Sequence, residues 1–144
     1  MNLPSGASRR CFLISPIGEE GSDDRRIADQ VQRHLVRRVL EPHGFEVIRA
    51  DQDNDPGAIT PRVLSLIQQA DLVIADLSTL NPNVFYEVGI AHTLGKEVIL
   101  ITQSIDDVPF DLRHLRCIPY QYTPRGIEVF EQDLKKTLLH IMNR

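Results

Sequence analysis

A regular alternation of short apolar runs with segments of helical period constrains the fold of this chain most strongly. Apolar runs with no polar alternation are typical of strands covered on both faces of a sheet. They occur at residues 11–15, 45–48, 72–75, 98–101 and 117–122, and amphipathic helical patterns separate or follow them. Strands and helices that alternate in this way predict parallel strands joined by right-handed crossovers, with helices on both faces.

The length of 144 residues matches one domain. Five strands in a domain of this size predict a three-layer α/β fold, in which the parallel sheet has the flavodoxin-like order 2-1-3-4-5. Residues 1–9 carry neither pattern and are predicted to form a flexible leader, so the predicted domain spans 10–144.

Composition and charge argue against several classes of function. Hydrophobic residues make up 42% and charged residues 25% of the chain, which is ordinary for a globular protein. The net charge is −4 and the basic residues are dispersed, which disfavours a nucleic-acid partner. No apolar run approaches the roughly 20 residues of a membrane span. Cys11 and Cys117 lie in apolar runs without metal-ligand spacing, so we expect a cytoplasmic protein with no metal and no cofactor.

The predicted topology places a ligand crevice outside the carboxyl ends of strands 1 and 3, where the winding of the sheet reverses. The loops that would line this crevice are 15–21, 51–57 and 76–83. The first loop lacks the GxGxxG and GxxxxGK[ST] patterns, which disfavours a Rossmann dehydrogenase or a P-loop NTPase. Gly18 and Gly21 would let its backbone approach a ligand, although an ordinary strand-to-helix turn explains them equally well.

The third loop leads into a predicted helix that carries one unexpected acid, Glu87. Either Asn81 or Asn83 can cap this helix, and Glu87 does not complete a capping box with either. Residues three and four positions from Glu87 are largely apolar, and burial of an unpaired carboxylate is costly. We therefore predict a functional role for Glu87, with a partly solvated helix glutamate as the alternative.

Three motifs around this loop resemble those of a known family. The motifs are Q-x-A-D before an apolar strand, Y-E-x-G after a small polar loop, and G-K before the next strand, at residues 68–78, 83–89 and 95–100. This pattern resembles the nucleoside 2-deoxyribosyltransferase superfamily, which includes 2′-deoxynucleoside 5′-phosphate N-hydrolases and is close to TIR-like domains.

The resemblance implies a two-step reaction at a nucleoside, a nucleotide or NAD. The glutamate of Y-E-x-G, here Glu87, would attack C1′, displace the base, and form a glycosyl ester that water or an acceptor base resolves. Asp76 would bind a sugar hydroxyl or assist the leaving base, or it would only cap a turn. Tyr86 would orient Glu87 or pack beside it. The resemblance also implies a homo-oligomer, a dimer or larger.

The sequence departs from the nucleotide hydrolases at two positions. Asn81 replaces a small hydroxyl residue that helps to hold phosphate, and its amide can donate similar hydrogen bonds. Gly18 lies about where those hydrolases carry an arginine, so phosphate would need another partner such as Arg25. A larger ligand such as NAD or a cyclic nucleotide fits this departure equally well. The positions predicted to contact a ligand are Ser15, Ile17, Gly18, Arg25, Ser78, Asn81 and Asn83.

Two alternatives to an enzyme remain open from the sequence. One is a non-catalytic, TIR-like module that binds a nucleotide for signalling and would keep the same crevice. The other is a response-regulator receiver with Asp76 as phosphoacceptor. The receiver is disfavoured because the fifth strand is followed by no lysine in Tyr120-Gln121-Tyr122-Thr123.

Overall fold

The computed structural model of the chain describes residues 8–16, 18–50, 61–109, 112 and 115–143. Its strands join in one parallel sheet in the order β2-β1-β3-β4-β5, which confirms the predicted flavodoxin-like topology. The strands are β1 (Arg9–Ile14), β2 (Phe45–Arg49), β3 (Leu72–Asp76), β4 (Val98–Thr102) and β5 (Cys117–Pro119).

Helices cover both faces of this sheet. They are α1 (Asp23–Gln30), which continues through a π-helical segment (Val31–Val36) into α2 (Arg37–Leu40) and a 3-10 turn (Glu41–His43), then α3 (Pro61–Gln69), α4 (Pro82–Thr93), a 3-10 turn (Ile105–Asp107) and α5 (Pro124–Met142). Ser22 and Thr123 cap α1 and α5, because their hydroxyl oxygens accept backbone N–H groups at 3.1 and 3.0 Å.

The core consists of two apolar layers, one on each face of the sheet. Alternate residues of β1 and β3 face opposite layers because side chains along a strand alternate between faces. Leu13 and Ile74 pack with the π-helical segment, α2 and α5. Phe12 and Val73 pack with α3 and α4 on the other face. The sheet is therefore buried on both sides, as its continuous apolar runs predict.

Some predicted boundaries differ from the structure. β1 begins at Arg9, which the sequence pattern assigned to the leader, and residues 1–7 lie outside the described part of the chain. β5 ends at Pro119 rather than Tyr122, because its partner Thr102 is the last residue of β4. The loop 51–57 also lies outside the described residues. None of the described helices is long and apolar enough to cross a membrane.

The amino edge of the sheet is held by residues of two family-like motifs. Asp71 of Q-x-A-D accepts a hydrogen bond from the backbone N–H of Arg10 at 2.8 Å. Lys96 of G-K donates through Nζ to the carbonyl oxygens of Gln68 at 2.6 Å and Ala70 at 3.1 Å. A lysine on these otherwise free carbonyls stabilises the carboxyl end of α3. These motif residues join α3 to β1 and β4 at the edge opposite the candidate site.

Candidate active site

The candidate site lies at the carboxyl edge of the sheet, where β3 leads into α4. The backbone N–H of Leu77 still bonds to Ile101 of β4 at 2.9 Å, and the chain then turns away from the sheet. Leu80 takes a positive φ of 53° in this turn. Asn81 caps α4, because its side-chain oxygen accepts the N–H of Asn83 at 2.8 Å. The structure thus decides between the two asparagines, and the cap orients the first turns of α4.

Glu87 lies on α4 and is half-buried. Buried Val84, Val88 and Ala91 occupy the core-facing side of the same helix. Burial raises the pKa of Glu87 from its ordinary 4.5 to about 7, and no cation among the described residues offsets this cost. The side chain therefore exchanges between carboxylic acid and carboxylate near neutral pH. This is the carboxyl group that the sequence predicts to be functional.

Asp76 is buried at the end of β3 and is surrounded by hydroxyl groups. Its Oδ2 accepts a hydrogen bond from Tyr120 at 2.7 Å, and its Oδ1 accepts the backbone N–H of Ser78 at 3.0 Å. The hydroxyl of Ser78 makes a further short contact with Oδ1. Burial is the largest effect on the pKa of Asp76 and raises it, while the bonds from Ser78 and Tyr120 oppose the rise. Because its side chain is only 4% exposed, Asp76 is poorly placed to accept a phosphoryl group from solution, as the phosphoacceptor of a response-regulator receiver must.

Tyr86 lies beside Glu87 in sequence but points away from the core. Its side chain is 63% exposed, and no hydrogen bond joins it to Glu87 among the described residues. The hypothesis that Tyr86 orients Glu87 stays a prediction, because nothing in the described structure tests it.

The loop after β1 contributes Ser15, which is half-buried, and Gly18, which is exposed; Ile17 lies outside the described residues. Gly18 has a φ of +69°, and a Cβ built there would lie 2.9 Å from both Asp24 Cβ and Ser22 Oγ. Because of the positive φ and the close contacts, a residue with a side chain could replace Gly18 only if the neighbouring atoms moved. In this conformation the loop has no room for a side chain such as arginine at position 18.

Arg25, the predicted phosphate partner, is already engaged within the chain. Its Nε lies 3.5 Å from Asp29 Oδ1, and Arg49 donates to the same oxygen at 2.5 Å. The hydrogen bond from Arg49 is the main reason why the pKa of Asp29 is lowered. The sequence analysis missed Arg49, although a charged residue at the end of a buried strand was an available signal. The guanidinium groups of Arg25 and Arg49 therefore share the carboxylate of Asp29.

The fold and the site together define a class of protein. It is a flavodoxin-like α/β protein with a half-buried carboxyl group on the helix after β3, at the point where the winding reverses. Asp76, Ser78, Asn81, Asn83 and Glu87 all lie on this one strand-to-helix segment. Among the described residues, no cluster of His, Cys, Asp and Glu is suited to hold a metal ion. The described residues of this segment offer a carboxyl group, hydroxyl groups and amides for chemistry.

Comparison with known proteins confirms the family resemblance. The chain is 34% identical over 77 residues to the 5-hydroxymethyl-dUMP N-hydrolases of Mus musculus and Rattus norvegicus. These residues are 54% of this chain but only 42% and 44% of the mouse and rat proteins, so the match spans less than half of each relative. No family model matches the chain. The nucleoside 2-deoxyribosyltransferase superfamily is thus the group that this chain resembles.

Solved structures show the same fold at low identity. A CMP N-glycosidase of Clostridium botulinum superposes with a TM-score of 0.63 at 20% identity, over 90% of this chain and 99% of that one. A 2-deoxyribosyltransferase of Leishmania mexicana superposes with a TM-score of 0.56 at 16% identity, over 86% of this chain and 97% of that one. The TIR domain of a Toll-related receptor of Hydra magnipapillata superposes with a TM-score of 0.59 at 19% identity, over 88% of this chain and 95% of that one. This fold is therefore shared with an N-glycosidase, a 2-deoxyribosyltransferase and a TIR domain.

Proposed function

We propose that this protein cleaves the N-glycosidic bond of a nucleotide or nucleoside, by hydrolysis or by transfer to another base, with Glu87 as nucleophile. The observation that carries the proposal is the half-buried Glu87 without a cationic partner among the described residues. Its position in the Y-E-x-G motif, and the N-hydrolase relatives, support the same reaction.

The reaction would take place in two balanced steps. The Glu87 carboxylate donates an electron pair to C1′ while the bond from C1′ to the base nitrogen breaks. The base leaves with the electrons of the broken bond and takes up a proton from solvent. Water then attacks C1′ of the glycosyl ester and loses a proton to solvent, which releases the sugar and returns Glu87 as a carboxylate. An acceptor base in place of water would complete a transfer. Negative charge on Glu87 also stabilises the cationic sugar in both transition states.

Nucleoside monophosphates are the first substrates to test, because the curated relatives are N-hydrolases of 5-hydroxymethyl-dUMP. NAD is the second, since the steric exclusion of a side chain at Gly18 removes one phosphate-binding group from the loop. We also propose a cytoplasmic homo-oligomer. The 63% exposure of Tyr86 on the helix of the site supports an oligomer, and sedimentation as a monomer would contradict it.

The test is release of free base, measured by chromatography. Wild-type protein, Glu87→Gln and a control variant, Glu128→Gln, are incubated with 5-hydroxymethyl-dUMP, CMP, other nucleotides, nucleosides and NAD. Glu128 is an exposed glutamate on α5, which packs on the opposite face of the sheet from α4. We expect release by the wild type and the control, and a loss of about 10³-fold or more in Glu87→Gln.

A non-catalytic nucleotide-binding module is the second candidate, favoured by the likeness to a TIR domain. It predicts no base release from any compound, together with a thermal shift on ligand binding that persists in Glu87→Gln. That combination of results would refute the enzymatic proposal.

A further inference from the structure

Three polar side chains close a ring at the carboxyl edge of the sheet. Tyr120 Oη lies 2.7 Å from Asp76 Oδ2 and 3.0 Å from Ser78 Oγ. Ser78 Oγ completes the ring through its short contact with Asp76 Oδ1. Ser78 Oγ also accepts the backbone N–H of Gln103 at 3.0 Å. The ring therefore connects the end of β3, the start of the loop that leads to α4, and the residues that follow β4 and β5.

The number of protons decides the charge of this ring. It contains three oxygen-to-oxygen contacts, and each hydrogen bond needs one proton. With an ionised Asp76, only the hydroxyl protons of Ser78 and Tyr120 are available, and both must point at the carboxylate. The contact between the two hydroxyl oxygens would then hold no proton. A neutral Asp76 supplies the third proton, so that all three contacts become hydrogen bonds.

The neutral arrangement also fits the capacity of each group. Asp76 donates through Oδ1 to Ser78 Oγ, which reverses the donor and acceptor that this contact has in an ionised acid. Ser78 then donates to Tyr120 Oη, and Tyr120 donates to Asp76 Oδ2. The protonated Oδ1 keeps the acceptor capacity that the backbone N–H of Ser78 uses. Ser78 Oγ then accepts twice, from Asp76 and from the N–H of Gln103, and donates once, which is the full capacity of a hydroxyl group.

The surroundings of the ring contain no compensating charge. Tyr120 is 2% exposed and its ring packs edge-on against Phe130, with 5.9 Å between ring centroids. The groups that act on the pKa of Asp76 are Ser78 and Tyr120, and no cation or second carboxylate among the described residues of β3, β4, β5 or α4 acts on it. A buried carboxylate with no cation beside it is costly even when hydroxyl groups donate to it, whereas a carboxylic acid with every hydrogen bond made is not.

We propose that Asp76, Ser78 and Tyr120 form a neutral hydrogen-bonded ring, with Asp76 protonated, that positions the segment leading to Glu87. Tyr120 and Asp76 are then positioning residues and do not exchange protons with a substrate. The ring holds Ser78 against the residues that follow β4 and β5, so the start of the loop from β3 to α4 is anchored by hydrogen bonds. It also leaves Glu87 as the only carboxyl group between residues 76 and 87 that ionises near neutral pH. The consequence for catalysis rests on the proposed function, but the charge of the ring does not.

Infrared spectroscopy of the carboxyl C=O stretch tests the charge directly. Glu87→Gln is used as the background, because it removes the other carboxyl group that is protonated near pH 7. We expect this variant to show the band of a protonated acid near neutral pH, and Asp76→Asn added to it to abolish the band. Tyr120→Phe should move the band to higher frequency, because the carbonyl oxygen loses its donor. The isosteric Phe keeps the packing against Phe130.

Two spectroscopic results would overturn the inference. One is the absence of any band that Asp76→Asn removes, which would mean that Asp76 is ionised. The other is a band that Tyr120→Phe leaves in place, which would mean that Tyr120 does not belong to the ring. Neither result depends on turnover, so a failure of the ring is distinguishable from a failure of the proposed reaction.

If the wild-type protein releases base, the conservative variant Asp76→Asn provides a second test of the ring, through the rate of that release. An asparagine can donate to Ser78 and accept from Tyr120 as a neutral acid does. Asp76→Asn should therefore keep at least about a tenth of the wild-type rate of base release, while Asp76→Ala falls well below it. Equal loss in Asp76→Asn and Glu87→Gln would contradict a positioning role.

Discussion

The raised pKa of Glu87 makes a prediction about stability that needs no substrate. We consider Glu87→Gln, which replaces the carboxyl group by a neutral amide of the same shape. In the folded protein, burial keeps the proton on Glu87 up to about pH 7, whereas the unfolded chain releases it near the ordinary value of 4.5. Between these two values the folded state binds more protons, so the free energy of unfolding falls as pH rises.

The size of the effect follows from the same two values. A difference between 4.5 and about 7 corresponds to about 3.4 kcal/mol, at 1.36 kcal/mol per pKa unit. Water reaches part of this half-buried side chain, and screening lowers the contribution, so we expect about 1–3 kcal/mol. The wild type and Glu87→Gln should be about equally stable near pH 4, where both side chains are neutral. Near pH 8 to 9 the variant should be more stable by this amount, because it no longer holds a desolvated charge.

Urea unfolding at a series of pH values measures this difference. Subtracting the two curves removes the contribution of every other titrating group. Glu128→Gln, which removes an exposed carboxylate, supplies the correction for a change in net charge. Parallel curves for the wild type and Glu87→Gln from about pH 4 to 9 would refute the argument, since burial would then impose no cost on the charge.

Three further predictions follow from other parts of the structure. For an active enzyme, kcat/KM should fall about tenfold per pH unit below about 7, because only the carboxylate of Glu87 attacks, and a flat profile would contradict this. Gly18→Ala should lower the free energy of unfolding by about 1–3 kcal/mol, and by more than Gly21→Ala, because both positions have positive φ but only Gly18 lacks room for a Cβ. Equal losses of stability in denaturant unfolding would count against a steric conflict at Gly18. Lys96→Met should cost about 1 kcal/mol of stability and leave the rate of base release per folded molecule unchanged, whereas a selective loss of turnover would place Lys96 in the site.

The topology of the sheet was predictable because each strand is a continuous apolar run. The alternation of those runs with helical patterns leaves few arrangements, and the structure has the one expected. Caps at Ser22 and Thr123 were predictable for a similar reason, since they depend only on local sequence. The isolated, half-buried state of Glu87 could also be inferred, because its helical neighbours are apolar.

Contacts between distant residues were not predictable from one sequence. Tyr120 lies 44 residues from Asp76, and the sequence around either residue does not indicate the hydrogen bond between them. The pairing of Arg49 with Asp29 likewise depends on how α1 crosses the end of β2. The choice between Asn81 and Asn83 as cap was open as well, because both fit the composition of a helix start and only the backbone decides.

The division of the family-like motifs between the two edges of the sheet has a consequence for sequence searches. Asp71 and Lys96 make hydrogen bonds that any protein built on this scaffold can use, whatever it does. A search that scores them will retrieve enzymes, sensors and inactive descendants alike. The stretch from Asp76 to Glu87 lies at the candidate site instead, so a profile meant to annotate activity should give it more weight than the scaffold positions.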